Sequence, residues 1–172
     1  TGAPRGTAYH RIMELLAFEG PEPDSIETVT EWIDGMAASG KIEKEAAECV
    51  KAYDIFRFLE TSSGKRMKKA ANSQKLWKEQ PFVLGIDAKE LYPEEEDGEL
   101  ILVQGIIDAY FEEEDGLVVL DYKTDRVRKA EELVEKYQEQ LRYYAKALEQ
   151  MTGKKVKEKI IYAFSLGKEI RI

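Results

Sequence analysis

Asp108, Asp121 and Lys123 interrupt two otherwise apolar runs, VQGIIDAYF (103–111) and LVVLDYKTD (117–125). Both runs are rich in branched and aromatic residues, and the acidic stretch between them ends in the turn pair Asp115-Gly116, so the pattern predicts a buried β-hairpin. Ionised groups are costly to bury without compensation, and three of them in a central hairpin imply a purpose. With an even loop of two or four residues, antiparallel pairing sets Asp108 opposite Lys123 or opposite Asp121. Side chains alternate along a strand, so either register gathers all three on one face. Two carboxylates and an ammonium converging there would hold a divalent metal beside a phosphate. The plainer reading is a buried Asp108–Lys123 salt bridge, but Asp121 on the same face leaves such a pair unbalanced and favours the metal.

The surrounding elements must position these groups. The hairpin is apolar on both faces (Val103, Ile107 and Val118 against Ile106 and Val119), which predicts central strands covered on both sides. Upstream, Tyr9, Ile12, Met13 and Leu16 give residues 6–18 the spacing of an amphipathic helix that Pro21 and Pro23 end. A second helix, capped by Asp24 or Ser25, runs to Ala38 and stops at Gly40. A third is expected over 43–60, burying Ala47, Val50, Tyr53, Ile55, Phe56 and Leu59, and a short basic one over 62–72. Residues 75–88 read as a strand, with Pro81 marking an edge or a bulge, and 92–99 as an exposed turn. After the hairpin come a long helix over 130–151 stopped by Gly153, a strand over 156–164 and a last one over 168–172. Helices, strands, one helix and strands in that order predict an α/β domain, a central mixed β-sheet flanked by helices with a helical N-terminal part.

Composition narrows the function. The chain has 172 residues, 35% charged and 43% hydrophobic, which fits one soluble globular domain over 1–172. No apolar run is long enough to cross a membrane, and no secretory signal opens the chain. The single cysteine, Cys49, excludes an internal disulfide framework and any four-cysteine site, and a reducing cytoplasm is the expected setting. Net charge is −8, from 26 basic and 34 acidic residues, which argues against grip on nucleic acid by charge alone. Acidic runs at 90–99 and 112–115 read as solvated surface. One basic run (Lys65, Arg66, Lys68, Lys69, Lys75 and Lys78), with Trp77 beside it, is the candidate for phosphate contact, although a Trp is more often core than a base-stacking platform.

GIID with Asp108, followed thirteen residues on by Asp121-Tyr122-Lys123, resembles the PD-(D/E)xK nuclease motif, and more narrowly its RecB-type branch. Three more segments agree in order: RGTAYHRIMELL with His10, WKEQPF with Glu79, and YQEQLRYYAKAL with Gln140 and Tyr144. A lone D…DxK matches many proteins by chance; five elements in sequence over nearly the whole chain make a specific signal. The proline that names the superfamily is replaced by Ile107, a departure the branch tolerates. The lack of clustered cysteines separates the chain from members with an iron–sulfur cluster, so none is expected.

The resemblance implies a restriction-endonuclease-like fold and hydrolysis of DNA phosphodiesters. A Mg2+ held by carboxylates can activate water and neutralise both non-bridging and leaving oxygens. Asp108 and Asp121 are the expected ligands, the main-chain carbonyl of Tyr122 a third, and the resemblance adds His10; a histidine ligand also suits Mn2+. Lys123 would orient the attacking water or offset charge on the phosphorane. Gln140 and Tyr144, four apart and so on one helical face with Tyr137, Leu141 and Leu148, would hold Lys123 or a phosphate, unless that face is packing with a polar rim. Glu79 has a catalytic role in the pattern, or merely faces solvent beside Pro81.

The resemblance further implies an excised C-terminal part of a bacterial helicase–nuclease, as the opening at Thr1 without methionine suggests. Its partners would be single-stranded DNA, the helicase portion of the same polypeptide and a second helicase–nuclease subunit, near the nucleoid. The rivals are a catalytically inactive nuclease-like domain that binds DNA or braces a partner, and a stand-alone phage-type exonuclease.

Overall fold

The computed structural model describes residues 2–94 and 98–172. Five helices come first: α1 (Gly2–Leu15), α2 (Ile26–Ala38), α3 (Lys44–Glu48), α4 (Ala52–Glu60) and α5 (Ser62–Asn72). Strand β1 (Leu76–Asp87), the short α6 (Ala88–Leu91), β2 (Leu100–Glu113) and β3 (Gly116–Lys123) follow. The long α7 (Ala130–Thr152), β4 (Val156–Ala163) and β5 (Lys168–Arg171) complete the chain. The strands form one sheet in the order β1-β2-β3-β4-β5, antiparallel except for β3–β4. That parallel pair needs a crossover connection, and α7 supplies it. The mixed sheet flanked by helices is the α/β architecture expected from the sequence. Glu95, Glu96 and Asp97, the middle of the expected turn over 92–99, lie outside the described residues.

Two apolar clusters cover the sheet. One joins α1–α5 (Tyr9, Ile12, Val29, Phe58, Met67) to Phe111, Val118, Leu120, Tyr162 and Phe164. The other joins α7 (Leu133, Leu141, Leu148) to Phe82, Leu84, Ile107, Val119 and Ile161. Each fully buried Leu, Ile or Phe contributes about 1.5–3 kcal/mol, so β3, with Val118, Val119 and Leu120 at 0% exposure, is anchored from both layers.

Local signals explain most boundaries. Ser25 is the cap of α2, its hydroxyl accepting from the Thr28 amide at 3.3 Å. Gly153, at φ 70°, ends α7 in the left-handed conformation glycine favours. Glu114 and Asp115 form a two-residue hairpin loop between the Glu113–Gly116 pair, and a Cβ at Gly116 would lie 2.8 Å from the Lys155 carbonyl oxygen.

Three expectations need correction. The single helix over 43–60 is two, because Val50 turns into the core and the Lys51 amide donates to the Tyr9 hydroxyl at 3.2 Å instead of continuing a helix. Tyr53 is accordingly 52% exposed, under the Arg57 guanidinium. The hairpin is covered on both faces only near β3: where β1 and β2 run past its end, Ile106 is 53% exposed with Val83, Leu100 and Leu102 beside it.

Candidate active site

The sheet changes phase at Asp108. Residues of one parity normally share a face of a strand, yet Ile107 packs with α7 while Ala109 and Phe111 pack with the N-terminal helices. In β1 the same reversal separates Leu76 from Phe82, Leu84 and Ile86. Glu79 and Asp108 stand at the reversal, facing each other between the pairs Lys78–Ala109 and Gln80–Ile107 without forming a ladder pair. Glu79 adopts φ 49°, a left-handed conformation that costs a side-chain-bearing residue about 1–2 kcal/mol. The β2–β3 ladder ends at Ala109–Leu120, so the next register position sets Asp108 opposite Asp121. Glu79, Asp108 and Asp121 thus line up across three neighbouring strands.

The phase change gives Asp108 one partner in the sheet and one on the N-terminal helices. Its Oδ2 accepts the Tyr122 amide at 2.8 Å, in place of a main-chain carbonyl, and lies 3.0 Å from His10 Nε2 on α1. His10 Nδ1 is 2.8 Å from the Gly6 carbonyl oxygen. A carbonyl only accepts, so Nδ1 carries the hydrogen and Nε2 is the nitrogen turned toward the acids. Burial by itself would lower the His10 pKa; the hydrogen bond and charge of Asp108 outweigh it and hold the imidazole up at about 9. The Tyr122 ring is in the core against Phe58, at 5.7 Å, which leaves its main chain beside the acids.

Asp121 is 2% exposed. Burial first, and the adjoining Asp108 carboxylate second, push its pKa up against the opposing pull of Lys123. The Lys123 ammonium is 2.9 Å from Asp121 Oδ2, a buried oxygen with no hydrogen-bond partner among the described residues beyond that ion pair. Lys123 donates to Gln140 Oε1 at 2.9 Å and lies 3.9 Å from the centre of the Tyr137 ring. Tyr144, one turn on from Gln140 and edge-on to Phe82 at 5.4 Å, has its hydroxyl pKa raised by burial and by Asp121 and Asp108. Burial, then Asp108, also raises Glu79.

Two carboxylates at opposed strand positions, a buried Asp121 oxygen that Lys123 alone approaches and an imidazole whose far nitrogen is fixed by a carbonyl fit a divalent cation. Among the described residues, no three His, Cys, Asp or Glu side chains already form a ligand cluster. Asp108 and Lys123 serve as the counter-charges on which His10 and Asp121 close.

A family model of the PD-(D/E)XK nuclease superfamily matches residues 1–169. The chain belongs to that superfamily. It is also similar to bacterial proteins whose names describe one subunit of an ATP-dependent helicase/nuclease. That of Lachnoclostridium phytofermentans is 39% identical over 99% of this chain and 15% of its own length. The Clostridium novyi protein is 41% identical over 99% and 14%, and that of Thermoanaerobacter pseudethanolicus 44% over 97% and 14%. The chain therefore spans about one-seventh of the curated relatives it matches.

Elsewhere on this PD-(D/E)XK chain, the basic run expected to contact phosphate is largely committed to other contacts. Arg66 is clamped by Glu113 and Glu158, Lys75 faces Glu112, and Lys65 faces Glu22. Lys78 donates to the main-chain oxygens of Glu14 and Leu16 beside Phe18. Its acidic partners are distant in sequence, so the run looks unopposed when read alone. Trp77 is 36% exposed and stacked on Tyr110 at 4.9 Å. Sequence reading passed over Tyr137 as a contact of Lys123, and over the cations at 126, 128 and 129. Their position directly after Asp121-Tyr122-Lys123 was the available signal.

Proposed function

We propose that this chain is a metal-dependent DNA nuclease domain, formed by residues 1–172, that hydrolyses phosphodiester bonds with Mg2+, for which Mn2+ can substitute. Asp108 and Asp121 would hold the cation together with His10 Nε2 and the Tyr122 carbonyl. The observation that carries this is the opposition of Asp108 and Asp121 on neighbouring strands beside an ammonium held from three sides. A bound cation would supply phosphate neutralisation and a more acidic water.

The chain's own residues do the rest. Lys123, steadied by Asp121, Gln140 and Tyr137, presents a fixed positive charge where negative charge grows on the phosphate. Gln140 positions Lys123 and Tyr144 positions Gln140. Glu79, opposite Asp108, adds a third carboxylate at the open edge. The names of the relatives, and a net charge of −8 that gives little grip on DNA, support delivery of single strands by a helicase. That helicase would be part of the same polypeptide, joined by a second helicase–nuclease subunit, in double-strand-break repair and recombination in the bacterial cytoplasm at the nucleoid. Exonuclease action fits a strand threaded past the site.

The test is cleavage of end-labelled single-stranded DNA in Mg2+, Mn2+ and EDTA by the parent and by Asp121→Asn, with Mn2+ titration calorimetry as a separate readout. The reading requires Mn2+ binding and cleavage in the parent and loss of both in the variant. Full cleavage by Asp121→Asn would sink it. A parent that binds DNA but never cuts it, under either metal, would favour the inactive scaffold.

A further inference from the structure

The loop that carries the chain from Lys123 into α7 reads Thr124, Asp125, Arg126, Val127, Arg128, Lys129. Its main chain is fastened at several points. Arg5 donates to the Thr124 carbonyl at 2.9 Å and Ser165 to the Asp125 carbonyl at 2.7 Å. The Asp125 carboxylate is taken by Tyr137 at 2.7 Å and Lys136 at 3.0 Å, and Val127 packs into the α7 cluster. Glu132 accepts the amides of Arg128 and Lys129. What remains for solvent is Arg126, Arg128 and Lys129, all exposed and, among the described residues, all without an ion pair.

This sets them apart from the 12 of the 26 cations that the described residues pair with a carboxylate. Arg66, Lys75, Lys146, Lys154, Lys157 and Arg171 each face a carboxylate. In a chain of net charge −8, three neighbouring cations with no ion pair on one fixed loop are a local surplus of positive charge. Their location adds to it: the loop leaves from Lys123, and Thr124 abuts Gly6, where a Cβ would meet the Thr124 hydroxyl at 3.0 Å. Gly6 is the residue whose carbonyl fixes His10. The loop is therefore tied to both sides of the candidate active site. The amides of Arg128 and Lys129, just ahead of α7, are already bonded to Glu132, so an anion here would be gripped by the three side chains and not by these amides.

We propose that Arg126, Arg128 and Lys129 form a cationic lip that holds the phosphate backbone of single-stranded DNA as it enters the site. This rests on the nuclease reading above and adds the residues that position its substrate. It also locates the chain's grip on DNA away from the run at 65–78, where Lys65, Arg66 and Lys75 face carboxylates. Contacts of this kind are sequence-independent and salt-sensitive, each phosphate neutralised on a single strand contributing about 0.7 to the slope of log affinity against log salt.

The experiment measures binding, not cleavage, so that it stands apart from the test of hydrolysis. A fluorescent single-stranded oligonucleotide is titrated in EDTA, across a salt series, with the parent chain and with Arg126→Ala/Arg128→Ala/Lys129→Ala. The triple variant is expected to bind at least tenfold more weakly, with a salt slope smaller by about 2. A control of equal charge change elsewhere, Lys44→Ala/Lys89→Ala/Lys168→Ala, should keep the parental slope. If the lip variant keeps the parental affinity and slope, or the control loses as much, the lip is ordinary surface and the proposal fails. Should the triple variant not fold, Arg126→Gln and Arg128→Gln tested singly should each lower the slope by about 0.7, and an unchanged slope in both would again overturn it. A chain that binds through the lip but never cuts under any metal refutes the nuclease reading alone.

Discussion

Lys123 and Gln140 meet at 2.9 Å although one ends a central strand and the other sits on the helix that crosses over it. The amide oxygen fixes the ammonium without neutralising it, which a carboxylate in the same place would do. Gln140→Leu keeps the volume roughly constant and releases Lys123 to Asp121 and Tyr137. The expected result is a fall in kcat of roughly a hundredfold, the scale of an ångström-sized misplacement, with KM for DNA changed much less. Single-turnover kinetics at saturating DNA measure this. A Gln140→Leu enzyme with parental kcat would show that Lys123 needs no such guide.

Asp121 makes function and stability pull in opposite directions. Burial and Asp108 raise its pKa above the ordinary 3.8, so the folded chain disfavours the ionised form that metal binding requires. The resulting penalty is absent at low pH and grows as pH rises through the ordinary value. Asp121→Asn removes the penalty together with the carboxylate proposed to hold the metal. In EDTA the variant should melt at a higher temperature than the parent at about pH 8, with the gap closing toward about pH 4, while cleavage is lost at every pH. Thermal melts across that range decide it. A variant less stable than the parent at the alkaline end would mean that the ion pair with Lys123 outweighs the repulsion.

The hairpin with its three charges was legible because alternation, turn residues and the cost of buried charge act locally. The register was not: where the loop is centred decides the partner of Asp108, and centring it on Glu114-Asp115 selects Asp121. Nothing local announces the phase change at Glu79 and Asp108, since it trades one residue's backbone strain for contact between Asp108 in the sheet and His10 on α1. The break between α3 and α4 was hidden for a similar reason. It is stabilised by the Tyr9 hydroxyl, 42 residues away in sequence. The basic run misled because its opposing acids, Glu112, Glu113 and Glu158, arrive from the sheet.

That last network has a measurable pH signature. The Arg66 guanidinium, with help from Lys157, lowers the Glu113 pKa from its ordinary 4.5 to about 2. A depressed carboxylate adds stability that is fully present above the unfolded value, 4.5, and is lost as pH falls toward about 2. Glu113 is 27% exposed, so solvent screening limits its share to on the order of 1–2 kcal/mol. Glu113→Gln should therefore be less stable than the parent by about that amount at neutral pH, and the difference should vanish near about pH 2. Urea unfolding at several pH values tests it; a constant difference across the range would rule out the ionic origin.

Glu79 supplies a test of whether backbone strain is stored at the site. In an ordinary strand, Gly is less stable than Ala because it loses more conformational freedom on folding. At φ 49° the order should reverse, since glycine alone reaches this region without steric cost. Glu79→Gly is expected to be more stable than Glu79→Ala by roughly 1 kcal/mol, and both should cleave DNA more slowly than the parent. The shared loss of activity would reflect the missing carboxylate opposite Asp108, and the split in stability would reflect the backbone. Equal stability of the two variants, measured by urea midpoint, would show that the strand relaxes around position 79 and that no strain is held there.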